Sequence, residues 1–292
     1  MRKMVAALPT CAACLLVPVC VVLCFYAVAL FELFRLSVAP TPATGAQATG
    51  WFTLAHFHKA IFDDIYFKTL TTTFTLSAYV TLAAVFFGYL IAFKIVRTQS
   101  RILRTALILS IVIPFLTNII VRMYGMSLVL SNTGVINTLL VSVGLLDDGE
   151  VFSMVRNQRG VTIGLVSFTL PFVTFVMATA FRRIDQTLED AAKSLGAGPI
   201  ETYFKVTLPL SMPGVVGGSV LAFSLSVSAF VTPLIIGQGN VRMIANAVYD
   251  QVLYSENKPL GAALSVIALV LSVLILYLQR LLVGPRYGAA TP

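Results

Sequence analysis

Charged residues are scarce in this chain. Only 11% of its 292 residues are Asp, Glu, Lys or Arg, whereas 58% are hydrophobic. A soluble fold of one or two domains could not bury that much apolar surface, so the composition predicts a multi-spanning membrane protein. The net charge is +8, but the basic residues lie mainly in loops between apolar runs and form no face interleaved with aromatic residues. Charge placed in this way sets membrane topology, and we expect no nucleic-acid partner.

Cysteine and histidine are also few. All four cysteines fall between residues 11 and 24, and the two histidines are His56 and His58. The Cys11/Cys14 pair has the spacing of a metal or redox site, but no second Cys/His pair accompanies it, so packing as small hydrophobic residues is favoured. His56 and His58 could be metal ligands or pH sensors. Because they lie two residues apart in one loop, ordinary interfacial side chains are the favoured interpretation.

Three functional signatures are missing. No G-x-x-x-x-G-K-[ST] motif occurs, so the chain is not expected to bind ATP phosphates itself. The apolar runs contain almost no carboxylates, which weighs against a stand-alone secondary transporter or channel. The histidines share one loop and the acidic residues lie in loops or at the ends of runs, which weighs against an intramembrane enzyme. We therefore expect no catalytic residue, no metal and no cofactor in this chain.

The apolar runs predict an all-α integral membrane protein with six transmembrane helices. Pro114, Pro171 and Pro233 fall inside three of them and predict kinks. The spacings Gly160/Gly164 and Gly214/Gly218 would let helices pack closely. A run after residue 130 is too short to span and is read as an outer interfacial helix or a re-entrant segment. The predicted spans are residues 5–34, 69–93, 107–130, 160–181, 214–236 and 260–278.

The predicted organisation has four parts. Residues 1–36 form the first transmembrane helix and residues 37–68 a periplasmic interfacial segment. Residues 69–284 form a five-helix core, and residues 285–292 a tail. The N-terminus, the loops after spans two and four and the C-terminal segment together carry 12 of the 20 Lys and Arg residues. The positive-inside rule therefore places both termini, and the loop after span four, in the cytoplasm.

Residues 185–213 are the longest polar interruption of the apolar second half. Thr187 with Asp190 predicts a capping-box start for a short helix. Gly196 predicts its C-terminal stop. Gly198 followed by Pro199 predicts the start of a second helix. We expect that helix to cover residues 200–206 and to end near Pro209, which cannot donate the next helical hydrogen bond.

This stretch resembles the signature loop of binding-protein-dependent ABC importer permeases, E-A-A, three residues, G, nine residues, I, one residue, L-P. The chain departs from it by Asp for the first Glu and Val for Ile, and a Glu occurs one place earlier. The resemblance implies a coupling helix that docks on a separate ATPase subunit; the alternative is a helical hairpin of no special role. The coupling residues so implied are Glu189, Asp190, Ala191, Ala192, Gly196, Val206, Leu208 and Pro209.

Further motifs narrow the resemblance, which extends from about Trp51 to Leu282. Residues 113–118 (IPFLTN), 121–125 (VRMYG), 132–137 (NTGVIN) and 230–233 (FVTP) with Gly237 are similar to spermidine/putrescine importer permeases of the first-permease type. The same sequence group includes importers of opines, γ-aminobutyrate and aminoethylphosphonate. The resemblance therefore fixes the mode of transport better than the solute.

The family implies a complex in the bacterial inner membrane. Its other members would be a second permease subunit, two ATPase subunits that bind ATP and Mg, and a periplasmic solute-binding protein. Arg122 could line the substrate path, contact the binding protein or extend to the outer interface, and helix packing is the simpler role for the other path candidates. The candidate path residues are Asn118, Arg122, Tyr124, Phe230 and Thr232.

Overall fold

The computed structural model describes residues 8–40, 52–144 and 152–283, and within these ranges the chain is helical and contains no strand. The predicted tail, residues 285–292, lies outside the described residues, as do the side chains of Cys11 and Cys14. The helices in chain order are α1 Leu8–Ser37, α2 Ala55–Phe62, α3 Asp64–Arg97, α4 Arg101–Leu116, α5 Ile119–Val129, α6 Val135–Ser142, α7 Gln158–Arg182, α8 Gln186–Ser194, α9 Pro199–Thr202, α10 Leu208–Val227, α11 Val231–Gly237, α12 Ile244–Tyr249 and α13 Lys258–Val283. Two π-helical turns, Tyr203–Thr207 and Asp250–Tyr254, follow α9 and α12.

Five of these helical segments are long and apolar enough to cross a membrane. They are Pro18–Ser37, Asp64–Arg97, Gln158–Arg182, Pro199–Val227 and Lys258–Gln279. The count reaches six when α4 and α5 are taken as one broken span. The all-α membrane fold predicted from the sequence is confirmed, with the third span as its irregular member.

The third span differs from the continuous kinked helix expected over residues 107–130. α4 and α5 meet at an angle of 108°, and the break falls at Thr117–Asn118, beyond Pro114. The side chain of Asn118 accepts a hydrogen bond from the Ile120 amide (2.8 Å) and so caps α5. The guanidinium of Arg122 and the hydroxyl of Thr117 both donate to the carbonyl of Pro114, at 2.6 and 2.7 Å. These side-chain bonds replace helical bonds lost at the break.

The fifth span begins and ends earlier than the predicted residues 214–236. The helix runs from Pro199 to Val227, and Pro233 belongs to the separate helix α11. The expectation that Pro209 ends a helix is wrong. The π turn before it is closed by a bond from the Leu208 amide to the Tyr203 carbonyl, and Pro209 then occupies the first turn of α10, where a missing N–H is tolerated.

The described chain forms two compact units. One comprises residues 8–40, 52–63 and 248–267, and the other residues 64–144, 152–247 and 268–283. In the smaller unit, Glu32 and Arg35 form an ion pair on α1 (2.8 Å), and the buried His56 ring contacts the Ala39 carbonyl (3.2 Å). His56 and His58 lie on the helix α2, and not in a loop as expected from the sequence; their interfacial role stays a prediction.

Helices α3, α7 and α10 pack against one another at the centre of the larger unit. The predicted close packing at glycine is present, because a side chain at Gly214 would overlap Ala180 of α7 and one at Gly218 would crowd Met177. The buried cluster of this region consists of Ala84, Tyr89, Ala92, Val173, Met177, Ala178, Phe181, Ile184 and Ala222. It lies directly beside the residues 185–213.

Candidate functional site

Helix α8 begins at Asp185. The Asp185 carboxylate accepts a hydrogen bond from the Thr187 amide (2.9 Å), so Asp185 is the N-cap. The capping box predicted between Thr187 and Asp190 is therefore wrong, because Asp185 takes the capping position two residues earlier. The same backbone hydrogen bond holds the pKa of the Asp185 carboxyl below its usual range.

The turn after α8 confirms the local prediction. Gly196 has φ +90°, its amide bonds to the Lys193 carbonyl (2.9 Å), and the Ala197 amide bonds to the Ala192 carbonyl (3.1 Å). This pair of bonds is a Schellman motif, which needs the left-handed residue that glycine supplies. Gly198 is then the N-cap of α9, with Pro199 in its first turn, as predicted.

The outer surface of this helical hairpin is apolar and open. Leu195 is 89% and Ile200 73% exposed, and Leu188 and Phe204 are also exposed. The hairpin encloses a shallow concavity of about 330 Å³ whose lining includes Ala192. Exposed apolar surface of this kind, rimmed by charged residues, marks a site for a protein partner. The remaining lining residues are Leu195, Gly196, Ala197, Glu201, Thr202, Lys205 and Val206.

The charges on this surface pair within their own helices. Lys193 bonds to Asp190 (3.0 Å) and Lys205 bonds to Glu201 (2.6 Å), and the side chains of both pairs are largely exposed. Exposed pairs of this type add little stability. They leave the rim balanced in charge around the apolar residues.

Glu189 differs from these exposed residues, because its carboxylate bonds to residues outside α8. Its Oε1 accepts hydrogen bonds from the Arg97 guanidinium and from the Thr207 hydroxyl (2.8 Å). The side chains of Arg97 and Glu189 are each only 15% exposed. Arg97 is the last residue of α3. The sequence indicated Arg97 only as a topology determinant, and no local pattern connects it with a residue so far along the chain.

Aromatic rings pack next to this ion pair. Phe93 lies edge-on to both Phe181 and Tyr203, with ring centroids 5.6 and 5.8 Å apart. Tyr89 also contacts Phe181 (4.9 Å), and its hydroxyl bonds to Ser211 (3.1 Å). The π turn and the start of α10 are thus anchored on α3 and α7.

Apart from Glu189, the coupling residues implied by the resemblance divide into two groups. Asp190, Ala191, Ala192 and Gly196 lie on α8 or its terminating turn, with Ala192 and Gly196 lining the concavity. Leu208 is half-buried and packs against the buried cluster next to α7. Val206 and Pro209 are also half-buried. The first group is available to a partner, whereas Leu208 fastens the hairpin to the membrane helices and Val206 also lines the concavity.

The candidate path residues lie on two neighbouring helices, α5 and α11, or at their N-caps. Asn118 caps α5, and Arg122 donates to the Pro114 carbonyl while lying over the Phe168 ring (5.7 Å). The Thr232 hydroxyl is buried against Met123 Sδ (3.3 Å). These contacts give each of the three a packing role.

The other two path candidates are Tyr124 and Phe230. Tyr124 is exposed on α5, and the Phe230 carbonyl accepts a hydrogen bond from the side-chain amide of Asn246 (3.1 Å). A role of all five in a substrate path stays a prediction. Within the described residues no group of three or more His, Cys, Asp or Glu side chains could hold a metal ion.

Known proteins resemble this chain over most of its length. The family described as "Binding-protein-dependent transport system inner membrane component" matches residues 84–286. The spermidine/putrescine transport system permease protein PotB of Haemophilus influenzae is 30% identical over 217 residues, which are 74% of this chain and 75% of the relative. PotB of Escherichia coli is 29% identical over 230 residues, which are 78% of this chain and 82% of the relative.

Solved structures share the fold. A bacterial ABC transporter involved in the import of the acidic polysaccharide alginate matches with a TM-score of 0.77 at 17% identity, covering 96% of this chain and 95% of its own. A bacterial alginate ABC transporter in complex with an alginate pentasaccharide-bound periplasmic protein matches with a TM-score of 0.76 at 19% identity, covering 92% and 91%. At these identities the likeness concerns the fold alone.

Proposed function

The chain belongs to the family of binding-protein-dependent transport system inner membrane components, and from that premise we propose that it is a permease subunit of an ABC importer for a polyamine. The observation that carries the proposal is the exposed hairpin of α8 and α9, which has the spacing of the importer signature and an apolar surface that no described residue of the chain covers. Two relatives named as spermidine/putrescine permeases support the choice of solute.

The hairpin would dock on an ATPase subunit in the cytoplasm. That subunit binds ATP and Mg, and this chain supplies the apolar surface around Leu195 and Ile200. The same assembly would include a second permease subunit and a periplasmic solute-binding protein. The positive-inside rule supports cytoplasmic termini, because it puts the hairpin on the side where ATP is available.

ATP would drive transport by shifting an equilibrium between inward-open and outward-open arrangements. Closure of the ATPase subunits would move α8, and the solute-loaded binding protein would favour the same arrangement from the other side. A ligand shifts such an equilibrium only by its difference in affinity for the two states. The hairpin is the part of this chain that would sense the nucleotide.

A zwitterionic solute is the second candidate. Arg122 is the one charged residue among the candidate path residues, and its guanidinium would attract a carboxylate and repel a polyamine. Opines, γ-aminobutyrate and aminoethylphosphonate carry both charges and would suit that site.

The test reconstitutes this chain in liposomes with a second permease, the ATPase and the binding protein, and measures ATP hydrolysis with spermidine, putrescine or γ-aminobutyrate. We expect stimulation by a polyamine. Stimulation by γ-aminobutyrate alone would select the second candidate, and no stimulation by any solute would contradict the importer proposal. The docking surface is tested by Leu195→Asp, which should abolish co-purification of the ATPase. Gln186→Asp is the matched control, because it places the same carboxylate in the first turn of α8, where the helix dipole favours it.

A further inference from the structure

Glu189 holds together three elements that are distant in sequence. Its carboxylate joins α8 to Arg97, at the end of α3, and to Thr207, at the end of the π turn that leads into α10. We propose that the Arg97–Glu189–Thr207 network is the mechanical connection that carries movement of α8 into the membrane helices α3 and α10. The inference rests on the proposed function, and it assigns Glu189 and Arg97 as positioning residues that need not touch the ATPase.

The network differs in kind from the other ion pairs of the hairpin. Lys193–Asp190 and Lys205–Glu201 join residues three or four apart and lie largely in solvent. They join only adjacent turns of the chain, and screening by water weakens them. Glu189 and Arg97 are mostly buried, and their bond is charge-assisted, the stronger class of hydrogen bond. A bond of that class between separate helices resists their separation.

The π turn Tyr203–Thr207 is attached to both α3 and α8. Tyr203, at the start of the turn, packs edge-on against Phe93 of α3, while Thr207, at its end, bonds to Glu189. Both ends of the turn are therefore attached, one to α3 and the other to α8. Since the turn continues directly into α10, a displacement of α8 is passed to α3 and α10 together.

The network also has bonding capacity in reserve. The Arg97 Nε is buried and, among the described residues, has no hydrogen-bond partner. Both donors of the network meet at Glu189 Oε1. A rotation of the carboxylate would bring its second oxygen to the guanidinium and produce the bidentate pair that Arg and carboxylates favour. The helices can thus change their relative angle while the connection is kept.

A double-mutant cycle in the reconstituted complex tests the proposal. The measured quantity is the number of solute molecules imported per ATP hydrolysed, with the most stimulating of spermidine, putrescine and γ-aminobutyrate as the solute. Glu189→Gln and Arg97→Gln should each lower this ratio about tenfold, within the range typical of coupling between sites. The double variant should be no worse than the lower of the two single variants. Glu32→Gln removes an exposed ion pair on α1 and should leave the ratio at its wild-type value. A wild-type ratio in Glu189→Gln, or losses that multiply in the double variant, would overturn the proposal.

Hydrogen exchange on the chain alone separates this inference from the proposed function. Without any ATPase, Glu189→Gln and Arg97→Gln should speed amide exchange in α8 by a similar factor, and the double variant by no more than either. Thr207→Val, which removes only the hydroxyl, should give a smaller increase. Unchanged exchange in α8 would refute the connection even in an active importer. Faster exchange in these variants of the chain alone, together with no import by the reconstituted complex, would uphold the connection and reject the importer function.

Discussion

Replacing Gly196 by serine should loosen the turn between α8 and α9 for a reason that concerns the backbone alone. A Cβ at Gly196 would meet no atom within 4 Å, but the residue has φ +90°, a conformation that costs an L-residue about 1–2 kcal/mol. That cost corresponds to a change of about 5- to 30-fold in an opening equilibrium. Gly198→Ser is the matched control, because Gly198 is equally uncrowded, has φ −68° and occupies an N-cap, where serine is favoured.

The assay is amide hydrogen exchange of peptides covering residues 186–207, recorded on the chain without its ATPase so that docking contacts do not contribute. We expect exchange in α8 to rise by the stated factor in Gly196→Ser and to stay unchanged or fall slightly in Gly198→Ser. Equal exchange in the two variants would refute the role of the left-handed turn. Faster exchange in Gly198→Ser alone would refute the cap assignment as well.

Three further predictions concern packing, the broken span and pH. Gly214→Ala should destabilise the chain by about 1–3 kcal/mol through overpacking. Gly217→Ala is the matched control, because a Cβ there would meet a single methyl group at 3.4 Å, and it should be neutral or stabilising by up to about 1 kcal/mol. Equal thermal stabilities of the two variants would contradict this. Arg122→Leu should cost about 1 kcal/mol, because the Pro114 carbonyl loses the guanidinium donor but keeps the Thr117 hydroxyl, and unchanged stability with lost uptake would indicate a path role instead. The lowered pKa of Asp185 means that its cap stabilises α8 above the unfolded pKa of about 3.9 and is lost as pH falls through the folded value. Protection of α8 against exchange should therefore drop below about pH 4 in the wild type but not in Asp185→Asn, and identical pH profiles would contradict the cap.

The parts of the fold that follow local rules could be predicted from the sequence. Hydropathy placed a membrane helix in each apolar run, because each must be apolar over its own length, but it misplaced the bounds of the fifth span and missed the break in the third. The Gly196 stop and the Gly198–Pro199 restart follow from backbone preferences of the residues themselves. The hairpin was therefore predictable without knowledge of its surroundings.

The parts that depend on distant partners could not be predicted. Pro114 was visible as a kink, but the break falls at Thr117–Asn118 because Arg122 reaches back to the Pro114 carbonyl. Pro209 was expected to end a helix because it has no N–H to donate. The π turn before it ends at Thr207, so Pro209 lies in the first turn of the next helix, where that N–H is not needed. The Arg97–Glu189 bond joins residues whose proximity follows only from the packing of α3 against α7 and α10.

The most direct test of the importer account is uptake of labelled spermidine into proteoliposomes that contain this chain, a second permease, the ATPase and the binding protein. The account predicts accumulation that requires both ATP on the ATPase side and the binding protein on the other, and that is lost in Leu195→Asp. Spermidine flux by this chain alone, without ATP or partners, would contradict it and would identify the chain as an independent transporter.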